Sequence, residues 1–260
     1  MTRTALVTGA SSGIGEACAV RLARAGWRVL AGVRREGDAP AGTEELLLDV
    51  TDRAQIAAAA DLAERLDGLV NNAGIVVASP LEYLPLDELR HQLEVNVVGQ
   101  LAVTQAFLPA LRTARGRIVI VGSIAGRSTL PFLGAYAMSK HALEAMADSL
   151  RVELAPDGIA VSIVEPGTIA TAIWTKPQPL EGLVSERYRA RIDHFRRVAA
   201  ARSSRAAPVE SVAAAVEHAL IAERPRTRYV VGRDARIRAT IERLPDRLRD
   251  RVYRRALLGE

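Results

Sequence analysis

Tyr136 and Lys140 stand four residues apart, a spacing that brings two side chains together on one face of a helix. A free phenol has a pKa of about 10 and is a poor acid–base catalyst at neutral pH. A cation held beside it favours the phenolate and moves that pKa toward the working range. Lys and Arg number 35 together, yet only two are lysine, one of them Lys140. Position 140 therefore calls for a compact ammonium that can sit buried beside a neighbour, which a planar guanidinium does not imitate. Asparagine is equally scarce, occurring only at Asn71, Asn72 and Asn96. Ser123 lies just past an apolar run over 117–121, where a strand-end hydroxyl faces the crevice in which open α/β sheets bind ligands.

A second constellation binds rather than reacts. Thr8-Gly9-Ala10-Ser11-Ser12-Gly13-Ile14-Gly15 follows one β-branched run and opens a helical one. Glycines there permit a tight turn and close backbone approach to a pyrophosphate, whose charge meets N–H groups at the helix N-terminus. Three residues, not one, separate the first two glycines, a departure from the G-x-G-x-x-G dinucleotide fingerprint. In dinucleotide folds the end of the second strand selects the cofactor: an acid holds a free ribose 2′-hydroxyl, an arginine accepts a 2′-phosphate. Here that strand ends Val33-Arg34-Arg35, with no acid before Glu36. NADP(H) is thus favoured over NAD(H), with Arg34 able to fork a phosphate and stack on the adenine.

The elements that must position these groups follow from periodicity. Strands are expected over 4–8, 28–33, 45–48, 68–71, 117–121, 160–165 and 227–231. Helices are expected over 13–25, 53–66, 86–111, 135–154 and 209–222. This alternation implies βαβ units: a Rossmann-type, doubly wound parallel sheet of about seven strands with helices on both faces, in a single α/β domain over 1–260. Residues 172–207 depart from the pattern, scattering Trp174, Leu180, Leu183, Tyr188, Ile192 and Phe195 among arginines like a helical insertion over a site. From 234 to 260 the chain reads as an amphipathic tail, interrupted at Pro245 and expected to dock on its own domain or a second subunit.

Bulk composition narrows the function. Net charge is +5, with most of the excess arginine beyond residue 185 and aromatics at 4%, so the base-stacking pattern of nucleic-acid binders is missing. The single cysteine, Cys18, allows no internal disulfide and suits a core position beside Ile14 and Leu22. His91, His141, His194 and His218 have no ligand-like spacing, so no metal site is expected. Polar residues interrupt the longest apolar stretches, so no membrane span is expected. Met1 runs into Ala5-Leu6-Val7 with no room for a signal peptide, and a cytoplasmic location is the expectation.

Thr8–Gly15, Asn71-Asn72-Ala73-Gly74, Asn96, Ser123, Tyr136-Ala-Met-Ser-Lys140 and Pro166-Gly167, in order and at matching spacing over about residues 4–170, resemble the short-chain dehydrogenase/reductase family. The resemblance implies hydride transfer between a nicotinamide and a carbonyl or alcohol carbon. By it, Tyr136 would be the general acid or base, and Ser123 would hold the substrate oxygen. Lys140 would bind the nicotinamide ribose and lower the pKa of Tyr136, and Asn96 would anchor a water continuing the proton relay. Gly9, Ser11, Ser12, Gly13, Ile14 and Gly15 would cradle the pyrophosphate, with Arg34 and Arg35 at the 2′-position. Asp49 and Val50 would meet the adenine, Asn72, Ala73 and Gly74 the adenosine ribose, and Pro166, Gly167, Ile169 and Thr171 the nicotinamide. Gly122 departs mildly, standing where many members carry a serine. A homodimer or homotetramer, through the long helices over 86–111 and 135–154, is implied by resemblance alone.

The strand end and arginine-flanked tail further resemble the hydroxysteroid/retinol dehydrogenase-like branch. Leu130, Phe132, Leu133, Trp174 and Leu183 suggest an apolar lining for a small-molecule carbonyl or alcohol substrate such as a steroid, retinoid or ketone. A ketoacyl-thioester reductase is the rival, with Arg187, Arg189, Arg191, Arg196 and Arg197 drawing an anion to the mouth. A non-catalytic NADP-sensing protein is the alternative of another class, against which the retention of both Tyr136 and Lys140 argues.

Overall fold

A computed structural model describes residues 2–171 and 186–259. Seven parallel strands make one sheet: β1 (Thr4–Thr8), β2 (Arg28–Val33), β3 (Glu44–Leu47), β4 (Gly68–Asn71), β5 (Arg117–Val121), β6 (Ala160–Pro166) and β7 (Arg228–Val231), in the order β3-β2-β1-β4-β5-β6-β7. Parallel neighbours need crossovers, and helices supply them on both faces, so the central strands read as continuous apolar runs.

Within each strand alternate residues feed opposite cores. Ile118 and Ile120 of β5 join Leu6, Leu69 and Ile163 on one face. That face is covered by α2 (Arg53–Asp61), α4 (Gln100–Ala114) and α5 (Gly134–Glu153), with Phe107, Leu111 and Leu143 fully buried. Val119 and Val121 join Val7, Val70 and Val164 on the other, under Cys18 and Leu22 of α1 (Gly13–Arg24) and Val212 and Val216 of α7 (Val209–Ile221). Burial pushes the Cys18 thiol up to about 12, in keeping with a packing role.

The boundaries differ from expectation where tertiary bonds intervene. The helix expected over 53–66 ends at Asp61, because Leu66 turns away to bond its N–H to Ala110 O at 3.1 Å. The run expected over 86–111 is α3 (Leu86–Leu93), one π-helical segment (Glu94–Gly99) and then α4. Wide turns of this kind expose backbone groups and recur at functional sites.

The expected insertion contains α6 (Glu186–Ser203); Trp174, Leu180 and Leu183 lie outside the described residues. The tail forms α8 (Arg233–Ile241) and α9 (Asp246–Leu258), with Pro245 capping α9. It docks on its own chain: buried Leu257 packs with Leu130 and Leu133, and Phe195, Val198 and Tyr253 close over them. Among the described residues no helix is long and apolar enough to cross a membrane.

Candidate active site

The sheet order reverses direction between β1 and β4, and a cleft opens there at the carboxyl ends of the strands. Gly9 and Gly13 carry positive φ values of 64° and 60°, which glycine adopts without strain. Gly15 is buried, and a Cβ on it would overlap the Gly9 carbonyl oxygen and the Asn72 amide. Ser12 caps α1 in extended geometry without using its side chain, leaving first-turn N–H groups facing the cleft. This bare, glycine-walled helix start fits a pyrophosphate.

The second wall is braced against the first. Thr8 Oγ1 accepts from the N–H groups of Asn72 at 2.9 Å and Ala73 at 3.0 Å, while Asn72 Nδ2 donates to Thr8 O at 2.9 Å. Asn71 is wholly buried and donates to Thr104 Oγ1 at 2.8 Å. Gln100 Nε2 donates to Ala73 O at 2.8 Å. The 72–74 loop is thus fixed by the protein's own hydrogen bonds.

At the β2 end, Arg34 lines the cleft with Asp49, Val50 and Thr51, whereas the exposed Arg35 does not. Burial works against the Asp49 carboxylate, but the Thr51 backbone and hydroxyl bonds and the charges of Arg34 and His91 hold it below the usual range. His91 also lines this end, a position its helical sequence context did not mark. Ile75 and Val95 add apolar lining that was likewise not expected.

Ser123, Tyr136 and Lys140 line the same cleft, and all three are buried. Ser123 follows the carboxyl end of β5, and its hydroxyl accepts from Ala125 N at 3.1 Å and donates to Pro166 O at 3.4 Å. Lys140 Nζ lies 5.6 Å from the Tyr136 ring centre and donates to Val121 O at 3.0 Å. Burial pulls the ammonium down to about 8.

Burial pushes the Tyr136 phenol up, and the opposing influences are the Ser123 hydroxyl and the Arg238 guanidinium.

Asn96 sits wholly buried in the π-helical segment, off the cleft surface. Its side chain brackets Ile75, accepting from the N–H at 2.8 Å and donating to the carbonyl at 3.0 Å, and also donates to Ser139 Oγ at 3.0 Å. A Cβ on Gly122 would approach Ile163 Cδ1 to 2.8 Å, so a serine there would require that side chain to shift.

Pro166, Gly167, Ile169 and Thr171 complete the cleft. Their loop is pinned by Ala207, whose N–H donates to Thr168 O at 3.0 Å and whose carbonyl accepts from Ala170 N at 3.0 Å. A Cβ on Gly13 would come within 3.4 Å of Thr171 Cγ2, so the two walls nearly touch here.

The expected apolar lining is arranged otherwise. Leu130 and Leu133 pack into the tail cluster instead of lining this cleft. Phe132 has φ of +65°, an unusual value for a bulky residue, and its ring meets Phe195 edge-on at 5.4 Å and Tyr188 at 6.3 Å. Among the mouth arginines, Arg189 pairs with Glu186 at 2.8 Å, so its charge is partly met within the helix.

Three comparisons bear on this geometry. A family model described as short chain dehydrogenase matches residues 3–181. An NADPH-dependent 3-dehydrocapnine reductase of Ornithobacterium rhinotracheale is 34% identical over 96% of this chain and 96% of its own length. Human retinol dehydrogenase 16 is 37% identical over 89% and 81%, respectively. A short chain dehydrogenase from Burkholderia cenocepacia J2315, solved in complex with NADP, covers 98% of both chains at 29% identity and a TM-score of 0.78.

Proposed function

The chain belongs to the short-chain dehydrogenase/reductase family of oxidoreductases, and on that premise we propose that it transfers hydride between NADP(H) and the carbonyl or alcohol carbon of an apolar small molecule. The observation that carries this reading is the convergence of buried Ser123, Tyr136 and Lys140, the last one turn along α5, in the cleft that also holds the glycine turn. The bound nicotinamide supplies or accepts the hydride.

The chain's own groups handle the oxygen and its proton. In reduction the Tyr136 hydroxyl gives its proton to the carbonyl oxygen, while the Ser123 hydroxyl donates a hydrogen bond to that same oxygen. In oxidation the phenolate takes the proton back. Lys140 keeps one N–H on Val121 O and turns the others to the cleft, where ribose hydroxyls can accept them. Asn96 shapes the Ile75 loop beside this site and, in this reading, supports the relay through the π-helical segment.

Arg34 supports NADP(H), as do the NADPH dependence of one relative and the NADP bound in one structural neighbour. The retinol dehydrogenase likeness and the Phe132, Tyr188 and Phe195 rings support a retinoid-, steroid- or long-ketone-like substrate.

The test is a panel of retinal, a ketosteroid, an aliphatic ketone and an acetoacetyl thioester, followed by the absorbance of reduced nicotinamide. Turnover of an apolar carbonyl is expected, and Tyr136→Phe is expected to lower kcat by about 100-fold or more with NADPH binding retained. Unchanged turnover in Tyr136→Phe would refute the role given to the phenol. Activity on the thioester alone would replace the substrate class.

A further inference from the structure

α8 lies outside the region matched by the family model, yet it holds two walls of the cleft together. Asp234 and Arg238 are four residues apart on it, so both project from one face. The Asp234 carboxylate accepts from Thr168 N at 2.7 Å and Thr168 Oγ1 at 2.8 Å. It sits so close over Gly167 that any Cβ there would run into it. One turn later, Arg238 Nη2 donates to Ser128 O at 2.5 Å and Nε donates to Ser128 Oγ at 3.1 Å. Ser128 is wholly buried, and its hydroxyl also meets Tyr253 OH at 2.7 Å, a phenol that donates to Glu242 Oε1 at 2.7 Å.

α8 buries only Ala235 completely, so apolar packing does not explain its seat. Its attachment is a polar clamp, with a carboxylate on the 166–171 loop and a guanidinium on the 123–128 loop. We propose that Arg238 is a positioning residue for hydride transfer: through Ser128 it fixes the loop that begins at Ser123 against the Thr168 loop held by Asp234. The proposal rests on the reading of Ser123 and Tyr136 as the reacting pair. A guanidinium suits the task because two N–H groups in one plane reach two oxygens of a single residue, which an ammonium does not reproduce. The same half-buried guanidinium also acts on Tyr136 in the direction of phenolate. Arg238 is thus placed to govern both the geometry and the proton affinity of the pair.

The experiment compares Arg238→Met, Arg238→Lys and Tyr136→Phe in the full chain, using NADPH and the panel carbonyl with the highest kcat/KM. NADPH Kd comes from fluorescence, and the pH profile of the reverse oxidation is recorded with NADP and the corresponding alcohol. Arg238→Met is expected to lower kcat by about 10- to 100-fold, as misplacement of a reacting group does, with NADPH Kd unchanged within about threefold. The ascending limb of its oxidation profile is expected to move to higher pH, because the lost cation no longer favours phenolate. Arg238→Lys is expected to restore that limb while kcat stays low.

Unchanged kcat and an unmoved pH profile in Arg238→Met, with Tyr136→Phe inactive, would overturn the proposal alone. An active Tyr136→Phe would instead overturn the underlying assignment. If Arg238→Met does not fold, Arg238→Lys decides: a fall in kcat at constant NADPH Kd supports positioning, and full activity overturns it.

Discussion

The Lys140 ammonium bonds the Val121 carbonyl oxygen at 3.0 Å, tying the middle of the cleft-lining face of α5 to the last residue of β5. The lysine is 5% exposed, so a larger head group has nowhere to go. Lys140→Arg keeps the charge but must displace β5 or the Tyr136 ring. It is expected to lower kcat/KM nearly as far as Lys140→Met, by about 100-fold. Steady-state kinetics on the two variants check this, and a neutral arginine would show that only charge matters at the position.

Arg34 stands beside Asp49 in the cleft, with no acid at the end of β2 to receive a ribose 2′-hydroxyl. Arg34→Ala is expected to raise KM for NADPH by about 10- to 100-fold, the range of a lost charge-assisted bond, and to leave KM for NADH nearly unchanged. Equal effects on the two cofactors would remove the basis for NADP(H) preference.

Gly15 is the glycine of the turn that space itself requires. A Cβ would meet the Gly9 carbonyl oxygen and Asn72 Nδ2, both held by the β1–β4 junction. Gly15→Ala is expected to destabilise the fold by about 1–3 kcal/mol through overpacking and to weaken NADPH binding in parallel. Thermal unfolding and fluorescence titration measure both. Unaltered values would mean that the turn opens freely.

Glu144 of α5 lies between buried Glu165 and Arg228, bonding Arg228 Nε at 3.2 Å. Burial, joined by the Glu165 charge, pushes its carboxyl up to about 7 against Arg228 and Arg127. A carboxyl raised on folding contributes stability that is present at low pH and lost as pH rises through the folded value. Glu144→Gln removes that loss. Its unfolding temperature relative to the parent protein is expected to rise between pH 5 and pH 8, and a difference that stays flat would contradict the shift.

Much of the sheet was legible because parallel strands buried on both faces must be apolar throughout, as Ile118 to Val121 are. The glycine turn and the Tyr136–Lys140 spacing were legible because their chemistry permits few substitutes. Other features depend on contacts that no local pattern carries. The π-helical segment arises where Asn96 brackets Ile75, 21 residues away. His91 reaches the Asp49 end of the cleft only because α3 packs back over it. Arg238 was invisible for a compositional reason: in a chain with 35 Lys and Arg, nearly all Arg, one more arginine stands out from nothing. The lysine that stood out lies against the Tyr136 ring, and the Arg238 guanidinium adds a second positive influence on that phenol.

The bonds from Arg238 to Ser128 span 110 residues of chain. Among the described residues, every strand and glycine that walls the cleft precedes residue 172, whereas the clamp does not exist until α8 has been made and has folded back. During synthesis, segments that emerge first can settle before later ones arrive, and closures across long separations come slowly. A growing chain would accordingly be able to grip its nucleotide before its reaction site is in register.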